Sequence, residues 1–192
     1  MQNRKRAIMV EFLEKHRACA PGLNWAKANC KTLQEVWDTC PKGEWLVWLA
    51  MIQGVLDETV LRRFACFCAR QVWHLLTDDG YKKAIETAEA FCDGKATRRD
   101  LNLAFDGVWD AFRRSSKRWD ASYEMTKFLL TIEARVAARK VSWFSAEIIA
   151  KATMKEEQEV GVQKLVSIED AARDVQADWL RKNTKPNLNS NK

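Results

Sequence analysis

Six cysteines and two histidines are the side chains best suited to metal or nucleophilic chemistry in this 192-residue chain. His16, Cys19, Cys30 and Cys40 fall within the first forty positions and are donors of the kind zinc takes. Their spacing is irregular and no Cys-x-x-Cys occurs, so ordinary buried or partly buried thiols are the simpler expectation, ahead of a structural zinc or a disulfide. Cys66 and Cys68 lie about 200° apart around a helix axis, which prevents joint chelation and predicts packing roles. His74 follows Trp73 near a helix end, where the helix dipole favours an imidazolium. Ser115, Ser116 and Ser122 lack a nucleophile-elbow context. Glu86 and Glu89, three apart on one helix, are the carboxylate pair available for acid–base work. Lys82 and Lys83 sit one turn earlier, so intrahelical ion pairing is the simpler account.

A second kind of chemistry is electrostatic. Arg113, Arg114, Lys117 and Arg118 crowd into about one and a half helical turns beside Trp119 and Tyr123, a pattern that suits phosphate contact with aromatic stacking. Asp106, Asp110 and Asp120 flank the cluster, and a solvated, salt-bridged face explains it more simply. The net charge of +6 arises in two places: eight basic against four acidic side chains in residues 1–42, and ten against six in residues 97–140. That balance permits a nucleic-acid partner without requiring one.

The elements that must hold these groups are helices. Chain breakers cluster at Pro21-Gly22, Pro41-Lys42-Gly43, Asp78-Asp79-Gly80, Asp93-Gly94 and the tail from Asn183, with long segments between. Apolar positions recur at three and four residues from Val60 to Leu76, with Asp57 as N-cap. On this reading Arg62, Arg63 and Arg70 lie largely off that stripe. A shorter helix is expected from about Asp79 to Phe91, with Gly94 as its stop, and Thr97-Arg98-Arg99-Asp100 reads as a capping box. From Leu101 the pattern runs on toward Val141 as one long helix, or two with a bend near Ser115-Ser116. Ser142 is expected to cap a further helix, Glu156-Glu157-Gln158-Glu159 to form a solvated face or turn, and Ile168–Lys182 to close the fold. Alternating strand patterns bounded by hairpin turns are lacking. The expectation is an all-α, compact multi-helix array with antiparallel neighbours. It spans a single domain over 1–182, with 1–40 forming an N-terminal subdomain laid on it, and a mobile polar tail over 183–192.

Charges interrupt every apolar run, so no membrane span is expected, and Glu11 and Glu14 argue against a secretory signal. The expected compartment is the cytoplasm, with mostly reduced thiols. Two histidines and seven glycines leave little material for the commonest catalytic and phosphate-cradling devices. No cofactor is implied, and the chain reads as non-enzymatic. Nine tryptophans and eight phenylalanines exceed what one small core needs, so some are expected to line an interface.

Residues 40 to about 105 resemble a family of bacterial immunity proteins, the immunity-five-like group. The resemblance rests on Glu44-Trp45-Leu-Val-Trp48-Leu49, on Ala65-Cys-Phe-Cys-Ala-Arg70, and on Ala84-Ile-Glu-Thr-Ala-Glu89 followed by Gly94-Lys-Ala-Thr97. It implies a helical protein that inhibits by binding, with a toxin or host-defence protein as target. It transfers no catalytic residue. In that family the region after the last motif is commonly Ala-rich, whereas this chain carries Trp109, Trp119 and Trp143 there. On the residues alone, Trp45, Trp48, Leu49 and Ile52 have the spacing of a buried face. Arg63 and Arg70, seven apart, are placed to meet Glu86 and Glu89 across a helix pair and lock its register.

Overall fold

The computed structural model describes residues 2–53, 56–115, 120–156, 162–186 and 188. Among them all regular structure is helical and no strand occurs. The order is α1 (Gln2–Lys15), α2 (Ala20–Asn29), α3 (Leu33–Thr39), α4 (Gly43–Gln53), α5 (Glu58–Gln71), a 3-10 turn (Trp73–Leu75), α6 (Asp79–Cys92), α7 (Arg98–Arg114), α8 (Ala121–Leu129), α9 (Ala134–Glu156) and α10 (Val162–Asn183).

Side-chain caps start several of these helices, those at Asp57 and Thr97 where the sequence places them. Asp57 accepts from the Val60 amide at 2.7 Å to begin α5, Asp78 from Gly80 at 2.8 Å to begin α6, and Asp120 from Ser122 at 2.8 Å to begin α8. The expected box at Thr97 and Asp100 forms: the Asp100 amide donates to the Thr97 hydroxyl while the Asp100 carboxylate accepts from the Thr97 amide. Such caps satisfy amides that the first turn leaves without intrahelical partners.

The central strut is α9, which packs against α4, α5, α8 and α10. Small side chains make this possible: Ala134, Ala137, Ala138, Ser142, Ser145, Ala146 and Ala150 are all buried along its length. A helix buried on several faces loses the amphipathic stripe by which its bounds are read from sequence. Ser142 therefore sits inside α9 and does not begin a helix; its hydroxyl donates to the Arg139 carbonyl one turn back. Gln176 of α10 crosses to the same place, donating to the Ser142 carbonyl at 3.0 Å and to the Ser145 hydroxyl at 3.1 Å.

The stretch from Leu101 to Val141 is broken twice. One break follows Arg114, near the bend expected at Ser115-Ser116. The other, after Leu129, has no glycine or proline to announce it. There Arg62, only 6% exposed, donates to the Thr131 carbonyl at 2.9 Å and the Ile132 carbonyl at 2.6 Å, satisfying backbone groups between α8 and α9. Its guanidinium also rests over the Phe91 ring at 5.1 Å. Arg62 thus belongs to the core, contrary to its reading as an off-stripe residue. The helix expected to reach Leu76 ends at Gln71, and the tighter turn that follows brings the Trp73 ring over Arg70 at 4.0 Å.

Met9, Leu13, Ala26, Val36 and Trp37 of α1–α3 join the same apolar core as α4–α10. Arg181 of α10 donates to the Trp37 carbonyl at 2.9 Å and to the Cys40 carbonyl, closing the end of α3. In the segment expected to be mobile, Pro186 and Leu188 are buried, and the Leu188 amide lies 3.5 Å from the Gln34 side-chain oxygen. Residues 187 and 189–192 of that segment lie outside the described residues. Glu157, Gln158 and Glu159 of the acidic run lie outside the described residues. No helix is long and apolar enough among the described residues to cross a membrane.

Candidate functional site

The sequence motifs separate into one structural clasp and one open cleft. In the clasp, Arg70 of α5 grips Glu89 of α6 through two bonds, its Nε donating to Oε1 at 2.9 Å and its Nη2 to Oε2. The carboxylate holds the Arg70 guanidinium above its ordinary pKa. Arg63 does not meet Glu86. It reaches the end of α6 instead, pairing with Asp93 at 3.2 Å, while Glu86 turns outward to Lys83 at 3.6 Å. Half of the expected register lock therefore forms. The two carboxylates have separate cationic partners and do not converge as acid and base.

The cysteines are free thiols in different surroundings. Cys19 is exposed, Cys30 and Cys40 are buried, and burial pushes the Cys40 thiol up to about 11. His16 lies against Phe12 with ring centroids 4.4 Å apart. Among the described residues no three histidine, cysteine or acidic side chains converge as metal ligands would. Cys66 faces a residue the sequence did not pair it with: its sulfur lies 3.8 Å from that of Cys92. The hydrogen bond between them, with burial, raises Cys66; the same bond, with Arg62 and Arg63 alongside, lowers Cys92. Cys68 is fully buried, and burial raises it too.

The expected basic patch is largely committed to internal pairs where it is described. Arg114 grips Asp78 through two bonds of 2.9 and 3.1 Å, joining the end of α7 to the start of α6. The dipoles of both helices favour these charges. The bond from Arg114 holds the Asp78 carboxyl below its ordinary range. Arg113 lies 4.0 Å from Asp110. Lys117, Arg118 and Trp119 lie outside the described residues.

Beside this patch α7 carries two apolar faces. Leu101, Val108 and Ala111 are buried, whereas Phe105 and Trp109, one turn apart, are 37% and 45% exposed. Phe112 and Tyr123 extend the outer face, with Tyr123 stacked on Phe112 at 4.4 Å and tilted to Trp109 at 6.0 Å. Leu103 is also exposed. The capping box marks where α7 starts; the second stripe is legible as Phe105, Trp109 and Phe112 at i, i+4 and i+7.

Trp45 and Trp48 are only half-buried, unlike the neighbouring Leu46 and Leu49, which are fully packed. They line a cleft of about 440 Å³ together with Trp25 of α2 and Trp143 of α9. Trp25 and Trp45 lie 6.3 Å apart between ring centroids. The buried-face expectation for Trp45, Trp48, Leu49 and Ile52 thus holds for Leu49, while the two tryptophans and Ile52 are half-buried. Arg17, Arg139 and Lys140 also line this cleft, as does Glu44. Glu44 is answered by Arg173 of α10 at 3.1 Å. Lys42 rests over the Trp45 ring at 5.2 Å and is paired with Asp170 at 3.0 Å.

Arg17 has a backbone signature of its own. It is the one non-glycine residue with positive φ among the described residues, at 59°. The Arg17 amide donates to the Glu14 carbonyl at 3.0 Å and the Ala18 amide to the Leu13 carbonyl at 2.9 Å, a Schellman closure in which glycine normally takes the left-handed position. For a side chain with a Cβ this conformation costs about 1–2 kcal/mol.

Together these features define an all-α array with a tryptophan-lined cleft and, on α7, an exposed pair of aromatic side chains. Compared with family models, curated proteins and solved structures, the chain matches none.

Proposed function

We propose that this chain is a non-enzymatic inhibitor that binds a target protein and blocks its activity, as an immunity protein does for a toxin or a mobile-element protein for a host-defence component. The observation that carries the reading is the exposed pair Phe105 and Trp109 on α7, continued by the half-buried Phe112 and Tyr123 of α7 and α8. Aromatic and Arg side chains dominate the energetics of protein interfaces, and Arg113 stands at the end of this stripe. The resemblance of residues 40–105 to immunity proteins supplies the inhibitory role. It lies mostly in the clasp and core, so the motif specifies the fold, and the divergent α7–α8 face would select the target.

The test is affinity capture of the tagged chain from its host or toxin-bearing relatives after nuclease treatment, beside a Phe105→Ser/Trp109→Ser variant. The expected result is a stoichiometric protein retained by the parent chain and lost by the variant, whose toxicity or activity is suppressed on co-expression. Bound material that disappears with nuclease, and retention that falls steeply with salt, would overturn the reading in favour of a nucleic-acid partner at the basic end of α7.

A further inference from the structure

We infer that the tryptophan cleft is a binding site for a small amphipathic anion: an apolar chain or ring system ending in one carboxylate or sulfonate. This site is separate from the α7–α8 face and does not depend on the identity of any protein target. Its volume of about 440 Å³ lies in the range of small-molecule pockets, which are mostly apolar with a few placed polar groups. Four indole rings line it, and Leu13 and Leu49 are buried among the same lining residues. Such a wall offers water few hydrogen-bond partners and favours an apolar occupant.

Charge selects the class of occupant. The cleft's one acidic lining residue, Glu44, faces Arg173, whose side chain is itself only 11% exposed. Of the cations, Arg17 and Arg139 form no ion pair among the described residues, and the Lys140 ammonium lies over the Phe128 ring at 5.4 Å. An apolar cavity lined by two arginines without an ion pair among the described residues and one carboxylate paired to Arg173 attracts a single negative head group. The guanidinium groups of Arg17 and Arg139 suit a planar carboxylate through paired N–H donors.

The backbone adds an independent observation. α6 ends in the same Schellman closure as α1, and there Gly94 takes the left-handed position at φ 70°. At α1 the position is held by Arg17, which lines the cleft. Strain of this kind clusters where a side chain has a binding task.

Decanoate and decan-1-ol, titrated into the full chain and followed by tryptophan emission and calorimetry, separate the two parts of the inference. Decanoate is expected to bind one to one and roughly tenfold more tightly than the alcohol. Arg17→Gly, which suits the left-handed backbone, should lose most of that preference while leaving the alcohol's affinity unchanged. Trp48→Ala should weaken both ligands. Bound decanoate should also slow alkylation of Cys19, the exposed thiol beside the cleft, in the unmodified chain. No saturable binding below about millimolar decanoate would overturn the inference. Equal affinity for acid and alcohol would overturn its anionic part. Loss of a captured protein on Trp48→Ala, with no binding of decanoate, would assign the cleft to the protein target instead.

Discussion

At the end of α6 the chain turns through Gly94, whose amide donates to Phe91 while the Lys95 amide donates to Ala90. At the end of α1 it makes the same turn through Arg17, with donations to Glu14 and Leu13. The backbone problem is identical, and the residues differ because their surroundings differ. An added Cβ at Gly94 would meet nothing within 4 Å, so the turn is free to use the residue with the lowest conformational cost. Arg17 is exposed and lines a cleft. The α5–α6 region spends its charges internally, in the Arg70–Glu89 and Arg63–Asp93 pairs and the buried Arg62. The cleft leaves charges available. One region is built to hold helices in place, the other to receive something.

The largest expected effect falls in the holding region. Arg62→Ala should lower unfolding free energy by about 2–4 kcal/mol in chemical denaturation, because the Thr131 and Ile132 carbonyls lose a charged donor and the core gains a void. A loss below about 1 kcal/mol would mean that water replaces the guanidinium and that the α8–α9 break needs no arginine.

The two turns provide a paired test of opposite sign. Gly94→Ala should destabilise by about 1 kcal/mol, since at positive φ a Cβ crowds the following carbonyl oxygen even where no other group stands near. Arg17→Gly should stabilise by about 0.5–1 kcal/mol, the relief of left-handed strain exceeding the added freedom of the unfolded chain. Destabilisation by both substitutions would show that the Arg17 side chain contributes to folding, which would remove the contrast between the regions.

The smallest effect concerns pH. The Asp78 carboxyl is lowered in the folded state by Arg114, so its contribution is present above about pH 4, the ordinary carboxylate value, and is lost as pH falls through the lower folded value. Asp78→Asn retains a capping side chain and removes the charge. The gap in melting temperature between parent and variant should therefore be visible near neutrality and close in acid. A gap independent of pH would assign the α6–α7 junction to packing. Gly80 approaches the Gly107 carbonyl there so closely that a Cβ would lie 2.6 Å from it.

Much of the architecture was legible because it is encoded locally. The caps at Asp57 and Thr97, the stop at Gly94 and the apolar faces of α5, α6 and α7 depend on residues a few positions apart, and periodicity and hydrogen-bonding chemistry are enough to read them. The Arg70–Glu89 contact was also readable as half of a clasp between neighbouring helices. The sites were less legible. Trp45 and Trp48 have the spacing of a core face, and nothing in their order distinguishes a packed indole from one lining a cleft.

The sequence by itself thus determined an all-α chain, the starts of α5, α6 and α7, and a strongly basic N-terminal portion, since each is a property of short segments. Tertiary structure alone decided that α8 stops without a breaker, because Arg62, about seventy positions earlier, satisfies the carbonyls released there. It decided that Ser142 lies within a buried helix, and that Arg17, Trp25, Trp45, Trp48 and Trp143 meet around one cavity. These outcomes depend on side chains far apart in sequence competing for the same backbone groups and the same apolar space, a competition that no local pattern records.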